Sequence, residues 1–477
     1  MSQEILKKKI ITTQVIAAIF VSISGIPNGM HTGWTAPAIP ILEAPDSPIP
    51  ITETDIIWIE STIWIGCIVG LPITIPLLNK YGSKISTIIA AVQSIIAWVL
   101  IACAPSVEYI YISRIISGIA SNNAFVSTPI YIAEISDKRV RGFLGTFTYI
   151  TMLTGIIMVY SIVPFVSLIT SSLIGAAFLV IQLLILPFMP DTPYFLIAKG
   201  YNEEAKKSLR WLRETDEVDE EFMEITLAVE RQKNFEGRFI DLFKIKSNRK
   251  AMIIMTILNF TQHFSGISAM LMNIHSILKD LVSVSANTAS ILFSVLMLLS
   301  ALVSSIIIDK IGRKSIMGWS CILTGTSLMA IAIYFTVKSE IDVKPYNWVL
   351  LTAILLYAIS FKFGIGLVPI VMTAEIFPAN VKAMGVTMAD AAYVIFGYAS
   401  INMYQLIVQN YEIYVVFYIF ALCCCCAGLF TFLYIPETSG KSLEEIQMLL
   451  NSSEHHPTYG PTKHSNDMNP FDAGGAK

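Results

Sequence analysis

Asn79-Lys-Tyr-Gly-Ser-Lys84 and Asp309-Lys-Ile-Gly-Arg-Lys314 are one phrase written twice, and this repeat decides how the chain is read. Each copy is a short basic loop around a glycine, set between two long apolar stretches. The glycine permits a tight turn that other residues resist. Two further echoes keep the same order along the chain. Glu134 followed by Arg141 returns as Glu375 followed by Lys382, and Pro190-Asp-Thr-Pro193 returns as Pro436-Glu-Thr-Ser439. Three echoes in register indicate an internal duplication, so the chain is expected to consist of two homologous halves.

The apolar stretches around these loops set the environment. Of 477 residues, 54% are hydrophobic and 14% charged; a soluble domain carries about 25% charged residues. A helix needs roughly 20 mostly apolar residues to cross a bilayer. Such stretches lie near 11–31, 55–77, 85–103, 109–132, 144–165 and 168–189, and again near 251–277, 287–308, 315–337, 347–373, 384–407 and 411–435. The expected fold is therefore an all-α membrane protein with 12 transmembrane helices in two six-helix halves, 11–190 and 251–435. The lipid bilayer is its first partner. Residues 1–10 and 436–477 flank the halves, and the tail beyond about 452 reads as unstructured. The segment 191–250 is the long charged interruption. Leu209 with Leu212 and Phe222 with Ile225 are spaced for short amphipathic helices. Basic residues in short loops mark the cytoplasmic side. Lys7–Lys9, Lys80, Lys84, Lys138, Arg139, Arg141, Lys310, Arg313, Lys314, Lys382 and Lys441 all fall on one side if the helices alternate. Both termini and the 191–250 insert are thus expected in the cytoplasm.

Several classes are disfavoured. A net charge of −3 does not suggest a nucleic-acid partner. The seven cysteines, including the run Cys423–Cys426, sit in apolar stretches without metal-ligand spacing. No nucleophile–base constellation is evident, so no enzyme, metal or cofactor is expected. Gly440-Lys441-Ser442 mimics the end of a P-loop, but Ile435 stands where that motif begins with glycine.

Four motifs, Pro190-Asp-Thr-Pro193, Gln262-His-Phe-Ser-Gly-Ile267, Ala374-Glu-Ile-Phe-Pro378 and Pro436-Glu-Thr-Ser-Gly-Lys441, carry a resemblance. The chain resembles the sugar porters of the major facilitator superfamily over nearly all of residues 11–450. That family includes animal facilitative glucose carriers and insect trehalose carriers. The resemblance implies transport of a small-molecule substrate, a hexose or trehalose-like sugar, by alternating access. Facilitated diffusion by a monomer in the cell membrane is the favoured form. Proton-coupled symport, transport of another polyol or non-sugar solute, and a non-transporting sensor are the alternatives.

The resemblance also suggests site residues. Substrate contacts are expected from Gln262, His263, Ser265, Ser268, Tyr149 and Tyr393, whose side chains offer donors and acceptors to hydroxyls. In this pattern His263 replaces a second amide, Ser268 an asparagine, Ile370 a tryptophan, and Tyr393-Val394 an Asn-Trp pair. Arg114, Glu134, Arg141, Asp309, Arg313, Lys314, Glu375 and Lys382 are expected to form a gating charge network at the cytoplasmic ends. Such pairs can bias a near-balanced equilibrium between two states. Gly364, Gly366 and Pro369 should break the tenth helix and form a hinge. His31, Lys362 and Asp390 are ionisable residues within spans and therefore functional candidates. Lys362 and Asp390, on neighbouring expected helices, are read as an ion pair.

Overall fold

The computed structural model describes residues 3–47, 49–137, 140–234, 238–279, 284–341, 344–378, 380–441 and 443–451. The polar tail beyond 452, together with Lys138 and Arg139, lies outside them. The chain is helical throughout these residues. In order the helices are α1 (Gln3–Ser22), α2 (Gly25–Gly33), α3 (Thr35–Leu42), α4 (Glu53–Ala102), α5 (Val107–Ile135), α6 (Arg141–Ile162) and α7 (Leu168–Ile185). Then come α8 (Pro193–Lys199), α9 (Asn202–Arg213), α10 (Asp219–Asn234) and α11 (Asp241–Lys244). The second half holds α12 (Lys246–Phe264), α13 (Ile267–Leu278), α14 (Ala286–Ile311), α15 (Arg313–Glu340), α16 (Asn347–Phe363), α17 (Val368–Glu375), α18 (Lys382–Asn410) and α19 (Ile413–Tyr434), followed by α20 (Leu443–Asn451).

Among the described residues, 9 helical stretches are long and apolar enough to cross a bilayer. One of them, Glu53–Ala102, runs through a kink at Gly82, where φ is 81° and ψ 171°. The expected spans near 55–77 and 85–103 are thus the two arms of α4. Two other expected spans do not meet that measure. Helix α5 is long enough but is diluted by Arg114, Ser117, Ser121, Asn122, Asn123 and Ser127. The stretch near 251–277 is interrupted between α12 and α13, where Gly266 has a φ of 85°.

The sequence repeat reappears in the backbone. Gly312 separates α14 from α15 with φ 96° and ψ 152°, the same left-handed, extended geometry as Gly82. A Cβ at Gly312 would also lie 2.5 Å from Glu437 Oε2, and one at Gly82 would lie 2.9 Å from the Phe195 ring. Both positions therefore disfavour side chains by torsion, and a side chain there would also have to displace a neighbour.

Within the first half α4 packs on α5 and α7, and α2 on α6; within the second, α15 packs on α16 and α19, and α12 on α18. Small residues bring helices together where there is no hydrophobic drive from water. At the α4–α5 crossing, a Cβ on Gly66 would lie 2.1 Å from Ile115 O and one on Gly118 would lie 2.1 Å from Ile63 O. The halves meet where α4 packs on α18, α6 on α14, and α3 on α13.

The 191–250 segment folds as short helices around Leu196, Ile197, Ala205, Leu209, Val218, Ile225 and Val229. It is tied to the first half. Arg213 donates to Ile135 O at 3.0 Å, Tyr131 donates to Pro190 O at 2.9 Å, and Leu212 joins a cluster with Ala17, Val21 and Tyr131. Of the cysteine run, Cys424 is buried on α19, whereas Cys425 and Cys426 are exposed.

Candidate functional site

The expected break in the tenth span is present, and it organises the centre of the molecule. Helix α16 ends at Phe363 and α17 starts at Val368, with Pro369 in its first turn. Pro has no N–H to donate, and the first turn of a helix needs none. The intervening turn is held by Gly366 N to Phe361 O at 2.8 Å, Val368 N to Gly364 O at 2.8 Å and Ile365 N to Ser320 Oγ at 2.9 Å. Unwinding leaves the Gly366 carbonyl open to side chains. Gln262 Nε2 donates to it at 3.4 Å from α12, and the Tyr149 hydroxyl donates at 3.3 Å from α6. Tyr149 in turn accepts from Lys362 Nζ at 2.6 Å. One carbonyl thus gathers Tyr149 of the first half with Gln262 and Lys362 of the second.

A second group lies at the break between α12 and α13. His263 Nδ1 is hydrogen-bonded to Ser268 Oγ at 3.0 Å, and its ring meets Tyr393 edge-on at 4.3 Å between centroids. Trp64, from α4, packs edge-on against His263 at 5.2 Å and lies 6.3 Å from Tyr393. Its six-membered ring fits against Gly397 of α18, where a Cβ would lie 2.3 Å away. Enclosed polar groups normally find partners. His263 Nε2 and Trp64 Nε1 have none among the described residues. Trp64 was not anticipated from the sequence. Ile370, on α17, is exposed.

Two of the expected contacts are arranged differently. Ser265 is fully buried, and its hydroxyl donates to Gln262 O at 2.9 Å, within its own helix turn. It steadies the break and does not face the site. The Lys362–Asp390 ion pair does not form. Lys362 bonds to Tyr149 and lies 4.9 Å above that ring, while Asp390 makes no ion pair among the described residues. Depth along neighbouring helices, the basis for expecting the pair, does not fix the direction in which each side chain points. His31 lies inside the first half, stacked on Trp98 at 4.0 Å and bonded to Ser94 Oγ at 3.2 Å.

The charged residues divide between the two ends of the bundle. At the end marked by Gly82 and Gly312, Arg313 pairs with Asp309 and Glu375, both at 2.8 Å. Thr438 donates to Glu375 at 2.8 Å. Glu437 accepts the backbone N–H groups of Arg313 and Lys314 at 3.0 and 3.1 Å. A carboxylate there also complements the positive end of α15. In the first half, Ser83 bonds to Glu134 at 3.3 Å and Lys84 pairs with Asp191 at 3.8 Å. None of these described pairs joins one half to the other. Lys382 is the first residue of α18; Arg141 begins α6, and its side chain lies outside the described residues.

Arg114 does not belong to this end. It sits seven residues after the start of α5, roughly 30 Å from Glu134 at 1.5 Å per residue. There it is fully buried, donates to His31 O at 2.6 Å, and lies within electrostatic range of Glu60. Placing it with Glu134 assumed that charges on one helix share one end. Glu60, which sequence reading passed over, is also fully buried and accepts a hydrogen bond from Gln405 across the halves. Ser61 donates to Asn402 at 3.1 Å and Tyr160 to Leu271 O at 2.6 Å, so this end is closed by contacts between halves.

Comparison with known proteins agrees with this architecture. The family described as "Sugar (and other) transporter" matches residues 15–450. The facilitated trehalose transporter Tret1 of Bombyx mori is 30% identical over 450 residues, covering 94% of this chain and 88% of that protein. Tret1 of Apis mellifera ligustica is 31% identical over 441 residues, covering 91% and 88%. Among solved structures, the inward open conformation of the xylose transporter XylE from E. coli superimposes with a TM-score of 0.76 at 21% identity, covering 91% of this chain and 99% of that one. XylE bound to 6-bromo-6-deoxy-D-glucose gives a TM-score of 0.74 at 22% identity, covering 92% and 99%. With a matched family over nearly its whole length, a fold shared with solved transporters and a polar site between two repeated halves, the chain belongs to the sugar porter family of the major facilitator superfamily.

Proposed function

We propose that this protein carries a sugar across a membrane by alternating access, as a facilitated-diffusion carrier. The observation that carries the reading is the position of the polar groups. Gln262, His263, Ser268, Tyr149, Tyr393 and Trp64 converge near two broken helices, at the seam between the halves. Amides, imidazole and hydroxyls recognise a polyol by exchanging its water hydrogen bonds for oriented ones, and aromatic rings supply flat faces and edges around them. Rocking of one half against the other around such a site would expose it to each side in turn. The Glu60–Gln405 and Ser61–Asn402 contacts would part when the site opens at that end. The Arg313–Glu375 cluster and its first-half counterpart would meet when it closes at the other.

Our reading of the topology has twelve spans in two six-helix halves, with the Gly82 and Gly312 end in the cytoplasm. Both termini and the 191–250 insert then lie on that side. The favoured residence is the cell membrane, and the unit a monomer. Uniport is supported by the packing of His31 inside the first half, which rocking of the halves would leave covered. Uptake by proteoliposomes of glucose, trehalose, fructose and polyols at two pH values tests the reading. Saturable, stereoselective uptake that needs no pH gradient is expected. A carrier that concentrates sugar only with an inward proton gradient would overturn uniport. Absence of saturable uptake of any sugar, neutral or charged, would overturn transport.

A further inference from the structure

Lys362 is a buried basic side chain at the centre of the seam, with no carboxylate paired to it among the described residues. The residue is 7% exposed. Its ammonium bonds to the Tyr149 hydroxyl at 2.6 Å and lies 4.9 Å from the Tyr149 ring centroid and 5.3 Å from that of Phe361. These neighbours are neutral. Among the described residues, no ion pair within 4.0 Å joins Lys362 to a carboxylate. Asp390, one turn from Tyr393, is not its partner. The contrast with Arg114 is direct. That guanidinium is fully buried but has Glu60 nearby, and it lies in the sealed end rather than beside the Gly366 carbonyl.

Taking an ammonium out of water costs several kcal/mol unless another charge compensates. Nearby aromatic rings recover part of that, and a phenol oxygen a little more. Neither neutralises the charge. The ammonium shares Tyr149 with the Gly366 carbonyl and, through it, Gln262. A solute seated among Gln262, His263 and Tyr149 would therefore present one edge to Lys362 Nζ.

We propose that the preferred solute is an acidic sugar, a polyol frame bearing one carboxylate or phosphate ester, whose anionic oxygen replaces the Tyr149 hydroxyl as the acceptor for Lys362. This rests on the reading of the site as a sugar-transport site and narrows its substrate class. The hydroxyls of the solute meet Gln262, His263 and Ser268. The lysine keeps its proton and stays on the protein, so each turnover moves the solute's negative charge, and transport is electrogenic. A charge-assisted bond to a desolvated ammonium is about twice as strong as a neutral one. Acidic sugars should therefore outcompete neutral ones of the same size by about tenfold or more.

The test uses the full-length protein in proteoliposomes, with labelled D-glucuronate, D-glucose 6-phosphate and D-glucose as separate probes. The expected result is saturable uptake of at least one acidic sugar, with a half-saturation concentration about tenfold or more below that of glucose. The first two probes distinguish a carboxylate from a phosphate ester. An inside-positive potential set by a potassium gradient and valinomycin should speed uptake of the acidic sugar and leave glucose uptake unchanged. Lys362→Gln should lose the preference for the acidic sugar over glucose, read as the ratio of the two half-saturation concentrations whatever the absolute rates, and Lys362→Arg should restore much of that ratio. The potential dependence of the unmodified protein decides the matter even where Lys362→Gln fails to fold. Saturable glucose uptake that neither acidic sugar shares nor inhibits would overturn the inference and leave the transport function standing. So would an acidic-sugar preference unchanged in Lys362→Gln. Absence of saturable uptake of all three would overturn both.

Discussion

Glu60 on α4 and Gln405 on α18 are hydrogen-bonded to each other across the two halves, both buried, at the end of the bundle opposite Gly82 and Gly312. Arg114 lies close enough to feel the charge of Glu60. Removing one member of a buried charged group leaves the other uncompensated, at a cost of about 3–5 kcal/mol. Glu60→Ala should therefore loosen the seal. A cysteine introduced at Asn402 should react at least several-fold faster with a membrane-impermeant thiol reagent in that background. Equal labelling rates with and without the substitution would count against the seal.

At the other end, Arg313 is 8% exposed and holds Asp309 and Glu375 at once. Glu375→Ala and Arg313→Ala should each lower the thermal midpoint, and the double substitution should cost less than their sum. Residues joined in this way show coupling of about 0.5–3 kcal/mol. Additive losses in a double-mutant cycle would mean that the contact contributes nothing.

Gly312→Ala should destabilise the protein by about 1–2 kcal/mol, because φ there is 96° and the new methyl would press on Glu437. Gly145, inside α6 with open space around it, is the matched control. Alanine there should stabilise by about 0.5–1 kcal/mol. Thermal unfolding in detergent compares the two; a smaller loss at Gly312 than at Gly145 would contradict the account.

Gln262→Ala and Ser265→Ala separate a site residue from its neighbour. Loss of one hydrogen bond, about 0.5–1.5 kcal/mol, should raise the half-saturation concentration for the transported sugar by about threefold to tenfold in Gln262→Ala. Ser265→Ala should leave it nearly unchanged, since that hydroxyl is spent on Gln262 O. Kinetics of uptake read both; the reverse order would displace the site.

The repeated loops were legible because glycine and charge are local signals. They anticipated the turns at Gly82 and Gly312 without knowledge of what packs against them. The break at Gly364, Gly366 and Pro369 was legible for the same reason. Direction was not. Whether Lys362 points toward Asp390 or Tyr149 depends on the rotation of α16 about its axis, which helical spacing leaves open. Trp64 was hidden because an aromatic residue in an apolar span reads as lipid-facing, and its socket at Gly397 is far away in sequence. Glu60 carried a usable signal, a carboxylate inside the expected span near 55–77, in Trp58-Ile-Glu-Ser-Thr-Ile-Trp64, and it was passed over among the ionisable residues within spans. Arg114 was assigned to the wrong end because charge alone does not say how far along a helix a residue lies.

Helix α17 runs from the turn carrying the Gly366 carbonyl to Glu375, eight residues and about 12 Å. On the proposed function it would act as a stiff lever, with the solute-binding turn at one tip and an ion-paired carboxylate at the other. Free energy passed along it must be reciprocal. Whatever change a filled site makes in the strength of the Arg313–Glu375 contact, weakening that contact must make in sugar affinity, by the same factor and at a distance.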